Sequence, residues 1–230
     1  MSKSKKNTID PENIMNNYGA DSVRLFILSD SPPEKDVQWS EEGMSASFKF
    51  IQKLWSLHNK ILKEIKLNHP KNNKEEISKF THKFIKKITD NLNNFSYNIV
   101  IANMHEMYAY LFKEIENKYN KEIILENYKK ILISIMPVVP HYANECLDNL
   151  KLNKDLHWPT YDNKLIEEKN TLIVIQINGK KRGLVTLPKN SSEEDLLNLI
   201  MTDDKIFKYI EGKDIKKKIY IKDKLLNVII

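Results

Sequence analysis

Thr171-Leu-Ile-Val-Ile-Gln-Ile-Asn-Gly-Lys-Lys-Arg-Gly-Leu-Val-Thr-Leu187 decides the fold, because the pattern of apolar residues changes there. Thr171 to Ile177 is a short apolar run rich in β-branched residues, which predicts a buried strand. Asn178-Gly179 is the dipeptide of a two-residue type I′ turn, and Lys180 to Leu187 is the partner strand. Further on, Ser191-x-x-Glu194 reads as a capping box ahead of Leu196, Leu197 and Ile200. A short helix is expected from Asp203 to Ile210, ending at Gly212. Ile215 to Ile221 and Leu225 to Ile230 then read as two more strands around Lys222-Asp223-Lys224. Residues 171–230 are thus expected to form a small α+β domain of about 60 residues.

N-terminal to this hairpin the periodicity is helical. A linker at 153–170 carries His157-Trp158-Pro159 and Tyr161-Asp162. Before it, from 44 to 152, apolar residues recur at steps of three and four. Phe48, Ile51, Leu54, Trp55 and His58 mark one helix, Ile77, Phe80, Phe84, Ile85 and Ile88 a second, and Ile99, Met104, Met107, Tyr108 and Leu111 a third. Glu122 to Met136 marks a fourth, stopped by Pro137 and Pro140, and Tyr142 to Leu150 a fifth. Short links, including the polar break Pro70 to Lys74, predict an antiparallel helical bundle. The fold class is therefore mainly α followed by α+β. Within 1–43, Asp10-Pro11-Glu12 starts a short helix that ends at Tyr18-Gly19, and a second runs from Ser22 to Ser29, stopped by Ser31-Pro32-Pro33.

The 230 residues are 41% apolar and 30% charged, enough to bury a core. No apolar run approaches the ~20 residues that span a bilayer. The single Cys146 excludes an internal disulfide or a CxxC zinc site, so a reduced, cytoplasmic setting is expected. The net charge of +6 points toward polyanionic partners, although a lysine-rich solvated surface would give the same number. No GxxxxGK[ST], GxGxxG, HExxH or GxSxG motif occurs, and the six histidines lack metal-ligand spacing. Cys146 reads as a small buried hydrophobe and His141 as a packing contact at a helix end. The Phe, Met and Tyr stripes read as core.

Two features suggest chemistry. Met1-Ser2-Lys3-Ser4, read alone, is a solvated tail; on a closing loop, its ammonium and hydroxyls could meet the phosphates of a nucleotide. The second feature is basic clustering, with twelve Lys/Arg against eight Asp/Glu in 171–230. Lys180, Lys181 and Arg182 crowd past the turn, and Lys216, Lys217 and Lys218 follow one another along a strand. Such clusters contact phosphates and sugars by charge and shape. The competing explanation is an edge strand guarded by lysines against aggregation.

These residues also resemble a family. Met1 to Ser4 match the last four residues of the KMSKS signature of class I aminoacyl-tRNA synthetases. Asp10-Pro11 and Tyr18-Gly19-Ala20-Asp21 with Arg24 are similar to the segment C-terminal to that signature in the leucine, isoleucine, valine and methionine members. Pro137-Val138-Val139-Pro140-His141, His157-Trp158-Pro159 with Asp162, Ile175 to Arg182, and Tyr220-Ile221 with Lys224 to Asn227 resemble bacterial-type leucyl-tRNA synthetases most. Asn144 to Leu147 departs from the family's Glu-Glu-Leu-Trp. The resemblance implies a C-terminal fragment that begins inside KMSKS, without the Rossmann fold, the editing domain or a zinc insertion. It further implies that Lys3 contacts the ATP phosphates, with Met1, Ser2 and Ser4 in the same loop. ATP with Mg2+ would belong to the full-length enzyme, with neither bound by this fragment alone. The partners implied are tRNA-Leu, leucine and ATP, with no membrane and a monomeric state. A stand-alone tRNA-binding module, or the equivalent part of a valyl or isoleucyl enzyme, remains open at this point.

Overall fold

The computed structural model describes residues 9–29, 32, 34–67, 75–167 and 170–230. The expectations placed on Met1 to Ser4, on Ser31 and Pro33, and on the break at Pro70 to Lys74 lie outside these residues. The chain divides into two compact units, Met1–Ile166 and Glu167–Ile230. It is mainly helical, with a small mixed sheet in the second unit.

In the first unit, α1 (Pro11–Tyr18) begins as its Asp-Pro-Glu start predicts. Asp10 accepts the Glu12 N–H, and Gly19, at φ 79°, donates its N–H to the Met15 carbonyl to end the helix. α2 is Ala20–Ser29. The bundle follows as α3 (Glu41–Leu67), α4 (Glu76–Asn93), α5 (Tyr97–Glu114), α6 (Lys121–Ile135) and α7 (Pro140–Asn149), then a short α8 (Asn163–Ile166). The buried stripe of α3 runs Phe50, Leu54, Leu57, Ile61, Ile65, steps of three and four that keep one face inward. Phe48, Ile51 and Trp55 sit on its flank, only half-buried, and Ile99 of α5 faces out while Val100 and Ile101 are buried. Together with Phe84 and Ile88 of α4, Met104 and Met107 of α5, and Ile131 and Leu132 of α6, this stripe forms one continuous core.

Pro140 starts α7, and the residue before it, Val139, has no side-chain oxygen to cap the N–H groups of the first turn. A residue far away in sequence takes that part. The buried Asp21 carboxylate accepts from the Tyr142 N–H at 2.7 Å and the His141 N–H at 3.4 Å, and bonds His141 Nδ1 at 2.9 Å. One turn later Arg24 donates to the carbonyls of Val138 and Pro137 at 3.0 and 2.6 Å. The α6–α7 break is therefore held by α2. The segment after α7 also packs on the bundle: Trp158 Nε1 donates to Thr89 Oγ1, and the Asp162 N–H to His82 Nδ1.

In the second unit, β1 (Asn170–Ile177) and β2 (Lys180–Pro188) form the expected hairpin, with Asn178 and Gly179 both at positive φ. After α9 (Glu193–Thr202) and α10 (Asp204–Phe207) come β3 (Lys217–Ile221) and β4 (Leu225–Ile229). The strand order is β2-β1-β4-β3, with β1 and β4 parallel and the outer pairs antiparallel. Ile173, Ile175, Ile177, Val185, Leu226 and Val228 share a core with Leu196 and Ile200 of α9 and Ile206 of α10.

The cap of α9 lies one residue later than the sequence reading. Ser192, not Ser191, accepts the Asp195 N–H, and Asp195, not Glu194, accepts the Ser192 N–H. The Ser191 hydroxyl is taken by the Pro188 carbonyl instead. That register points Leu196 and Ile200 at the sheet. The tip of the hairpin is tied to the end of the sheet by two asparagines: Asn178 Oδ1 accepts from the Ile230 N–H, and Asn227 Oδ1 from the Gly179 N–H.

Candidate nucleic-acid interface

The N-terminal candidates Met1, Ser2, Lys3 and Ser4 fall outside the described residues. In the second unit the two basic clusters differ. Lys216 precedes β3 and donates its N–H to the Ile229 carbonyl. Strand alternation sets Lys217 with Ile219 and Ile221 on one face, and Lys218 with Tyr220 on the other. Lys218 reaches Glu193 at 3.4 Å and is partly neutralised. These three lysines do not share one face.

Lys180, Lys181 and Arg182 are organised differently. β2 is an edge strand, and its register shifts between Ile175 and Gln176: Ile175 pairs with Gly183 and Gln176 with Lys181. Arg182 is the extra residue of this β-bulge, freed from the ladder and re-aimed. Its guanidinium carbon lies over the Tyr209 ring, 4.2 Å from the centroid, and Lys208 Nζ lies 5.1 Å from the same centroid. Cations are drawn to an aromatic face by the ring quadrupole. Gly183 leaves room for α10, since a Cβ there would sit 2.6 Å from Ile206 Cδ1 and force that side chain to shift. Lys180, Lys181 and Arg182 are all exposed, and among the described residues none of them, nor Lys208, has an ion pair. Tyr209 and Lys208 escaped the sequence reading, because nothing in the local pattern ties them to position 182.

Elsewhere the chemistry is structural. Cys146 is fully buried, and burial pushes its thiol up to about 12, so the nucleophilic thiolate is suppressed. His58 is also fully buried; its Nδ1 pairs with the Tyr128 hydroxyl at 3.2 Å, which pairs with the Tyr142 hydroxyl at 3.1 Å. Tyr142 in turn donates to the Leu54 carbonyl, so the donor sequence requires His58 to carry its proton on Nδ1. His105 stacks on Phe50 at 3.7 Å, and desolvation, helped by Lys53, lowers its pKa. Among the described residues no group of three or more His, Cys, Asp or Glu side chains could hold a metal ion, and no helix is long and apolar enough to cross a membrane.

Comparison with known proteins supplies the context. The family described as "Anticodon-binding domain of tRNA ligase" matches residues 74–197, and "tRNA synthetases class I (I, L, M and V)" matches residues 1–40. Curated relatives include the leucine–tRNA ligases of Thermotoga maritima (33% identical, over 100% of this chain and 30% of the relative), Orientia tsutsugamushi (40%, over 100% and 27%) and Rickettsia bellii (38%, over 100% and 28%). The chain thus spans less than a third of the length of these relatives. Among solved structures, the ternary complex of Agrobacterium radiobacter K84 agnB2 LeuRS, tRNA and LeuAMS superposes with a TM-score of 0.78 at 23% identity, over 100% of this chain and 30% of that one. At that identity the likeness speaks for the fold.

Proposed function

Because the chain belongs to the family of tRNA ligases with an anticodon-binding domain, and its curated relatives there are leucine–tRNA ligases, we propose that it is the tRNA-binding C-terminal part of such an enzyme. The whole enzyme would attach leucine to tRNA-Leu at the expense of ATP. The observation that carries this reading is alignment along the entire chain with leucine–tRNA ligases at 33–40% identity. In it, residues 1–43 are the signature loop and its connecting helices, 44–152 the bundle that packs on the tRNA, 153–170 a linker, and 171–230 a second RNA-contacting domain. ATP with Mg2+ would supply the activating adenylyl group. Lys3 would sit against its phosphates, with Met1, Ser2 and Ser4 in the same loop; leucine would be held by the remainder of the enzyme. The work is cytoplasmic and the enzyme monomeric in this reading.

A chimaera tests it. The corresponding part of the Orientia tsutsugamushi ligase is replaced by this chain, and leucylation of tRNA is measured. Activity is expected, and Lys3→Ala in the chimaera should slow leucine-dependent pyrophosphate exchange by about 100-fold, the scale of losing one electrostatic contact to a developing charge. An inactive but folded chimaera, or an unaffected Lys3→Ala, counts against the assignment.

A further inference from the structure

We infer that Arg182, seated on the ring of Tyr209, is a preset two-pronged grip for an RNA phosphodiester, and that Tyr209 is its positioning residue. This rests on the RNA-binding reading above and makes it specific to one edge of the second unit.

Three independent features converge on Arg182. The bulge leaves it without a cross-strand partner and turns it out of the ladder. The Tyr209 ring lies against its guanidinium, whose central carbon is 4.2 Å from the ring centroid. Beside it, Gly183 has no Cβ, and the Ile206 side chain of α10 packs into that space. An arginine fixed in this way has already lost much of its rotamer freedom, so less is lost when a ligand binds.

The N–H edges of the guanidinium remain open. Among the described residues they have no acceptor within hydrogen-bond reach, and Arg182 is exposed. Asp203 accepts the Lys205 N–H as the cap of α10, and among the described residues no acid forms an ion pair with Arg182. Lys208 leans on the same ring, and Lys213 Nζ donates to the Tyr209 carbonyl at 3.2 Å. Lys180 and Lys181 precede Arg182 on the same edge strand, so several cations without an ion pair lie on the elements that carry one planar fork. A single carboxylate would leave most of them unpaired, whereas a run of phosphodiesters spaced along a backbone meets them all. The fork matches two oxygens of one phosphate, a geometry that lysine cannot reproduce.

The test is fluorescence anisotropy of labelled tRNA-Leu transcript with the full chain across a salt series. Arg182→Lys keeps the charge, so the slope of log K against log salt should stay the same while affinity falls about fivefold or more through loss of the fork. Tyr209→Leu should lose a similar factor, and Tyr209→Phe, which keeps the ring, should bind as the parent does. Thermal melts report whether Tyr209→Leu still folds; if it does not, the exposed Arg182→Lys decides. Parent-like affinity in Arg182→Lys while the parent binds well overturns this inference alone. A parent chain that does not bind tRNA overturns the functional reading with it. Polyglutamate competing as well as RNA would mean that a carboxylate-bearing protein is the partner, and would overturn the phosphate assignment.

Discussion

His58 is the residue on which the bundle's pH behaviour turns. It is fully buried between α3 and α6, and burial lowers its pKa from 6.5 to about 4. Protonation would place a charge in the core and add an N–H at Nε2, a buried atom with no hydrogen-bond partner among the described residues. The unfolded chain takes up this proton near 6.5 and the folded one only near 4, so the unfolded state binds more protons between those values. The stability contributed by neutral His58 is present in full above 6.5 and is lost as the pH falls toward 4, at no more than about 1.4 kcal/mol per pH unit. Urea melts of the parent and His58→Gln should show the parent losing stability faster across that window. Parallel pH profiles would contradict the assignment. The helical spacing puts His58 on the stripe of α3, but a spacing pattern cannot reveal that its hydrogen-bond partner, Tyr128, comes from α6.

At the scale of elements, the strongest link is the cap that α2 provides for α7. The Asp21 carboxylate stands in for the capping oxygen that Val139 lacks, taking the N–H groups of His141 and Tyr142. Asp21→Ala strands those groups, and should lower the stability of the helical unit by about 2 kcal/mol, the cost of leaving buried donors unsatisfied. Circular dichroism at 222 nm during urea titration measures it, and a loss below about 0.5 kcal/mol, within the range of ordinary surface substitutions, would contradict the capping role. Helix starts, helix stops and the hairpin were legible because they depend on neighbouring residues: Asp10-Pro11, Gly19, Asn178-Gly179. The capping box slipped by one residue because Ser191-Ser192 and Glu194-Asp195 offer two equivalent registers, and only the sheet contact of Leu196 and Ile200 chooses between them. The parallel pairing of β1 with β4 and the Arg182–Tyr209 contact join residues far apart in the chain, and no local pattern encodes either.

For the whole molecule, the role proposed above gives the helical unit and the small mixed α+β unit one task, holding folded tRNA for a tRNA ligase. Composition alone could not reach this, since a charge of +6 fits a merely solvated lysine surface as well as a polyanion site. The likeness of the whole chain to leucine–tRNA ligases and the cations beside Tyr209 are what favour the proposed polyanion site. Shape-dependent contacts keep a preference for folded RNA as salt rises, whereas bare counterion release separates folded from unfolded chains only through their charge density and fades steeply with salt. The most direct measurement is therefore an anisotropy titration of the chain against folded tRNA-Leu, a second folded tRNA and an unstructured RNA of equal length, at low and physiological salt. Binding to tRNA-Leu is expected at physiological salt, at least about tenfold tighter than to the unstructured RNA, a gap well inside that between specific and non-specific nucleic-acid binding. Equal binding to all three that vanishes at physiological salt would contradict it.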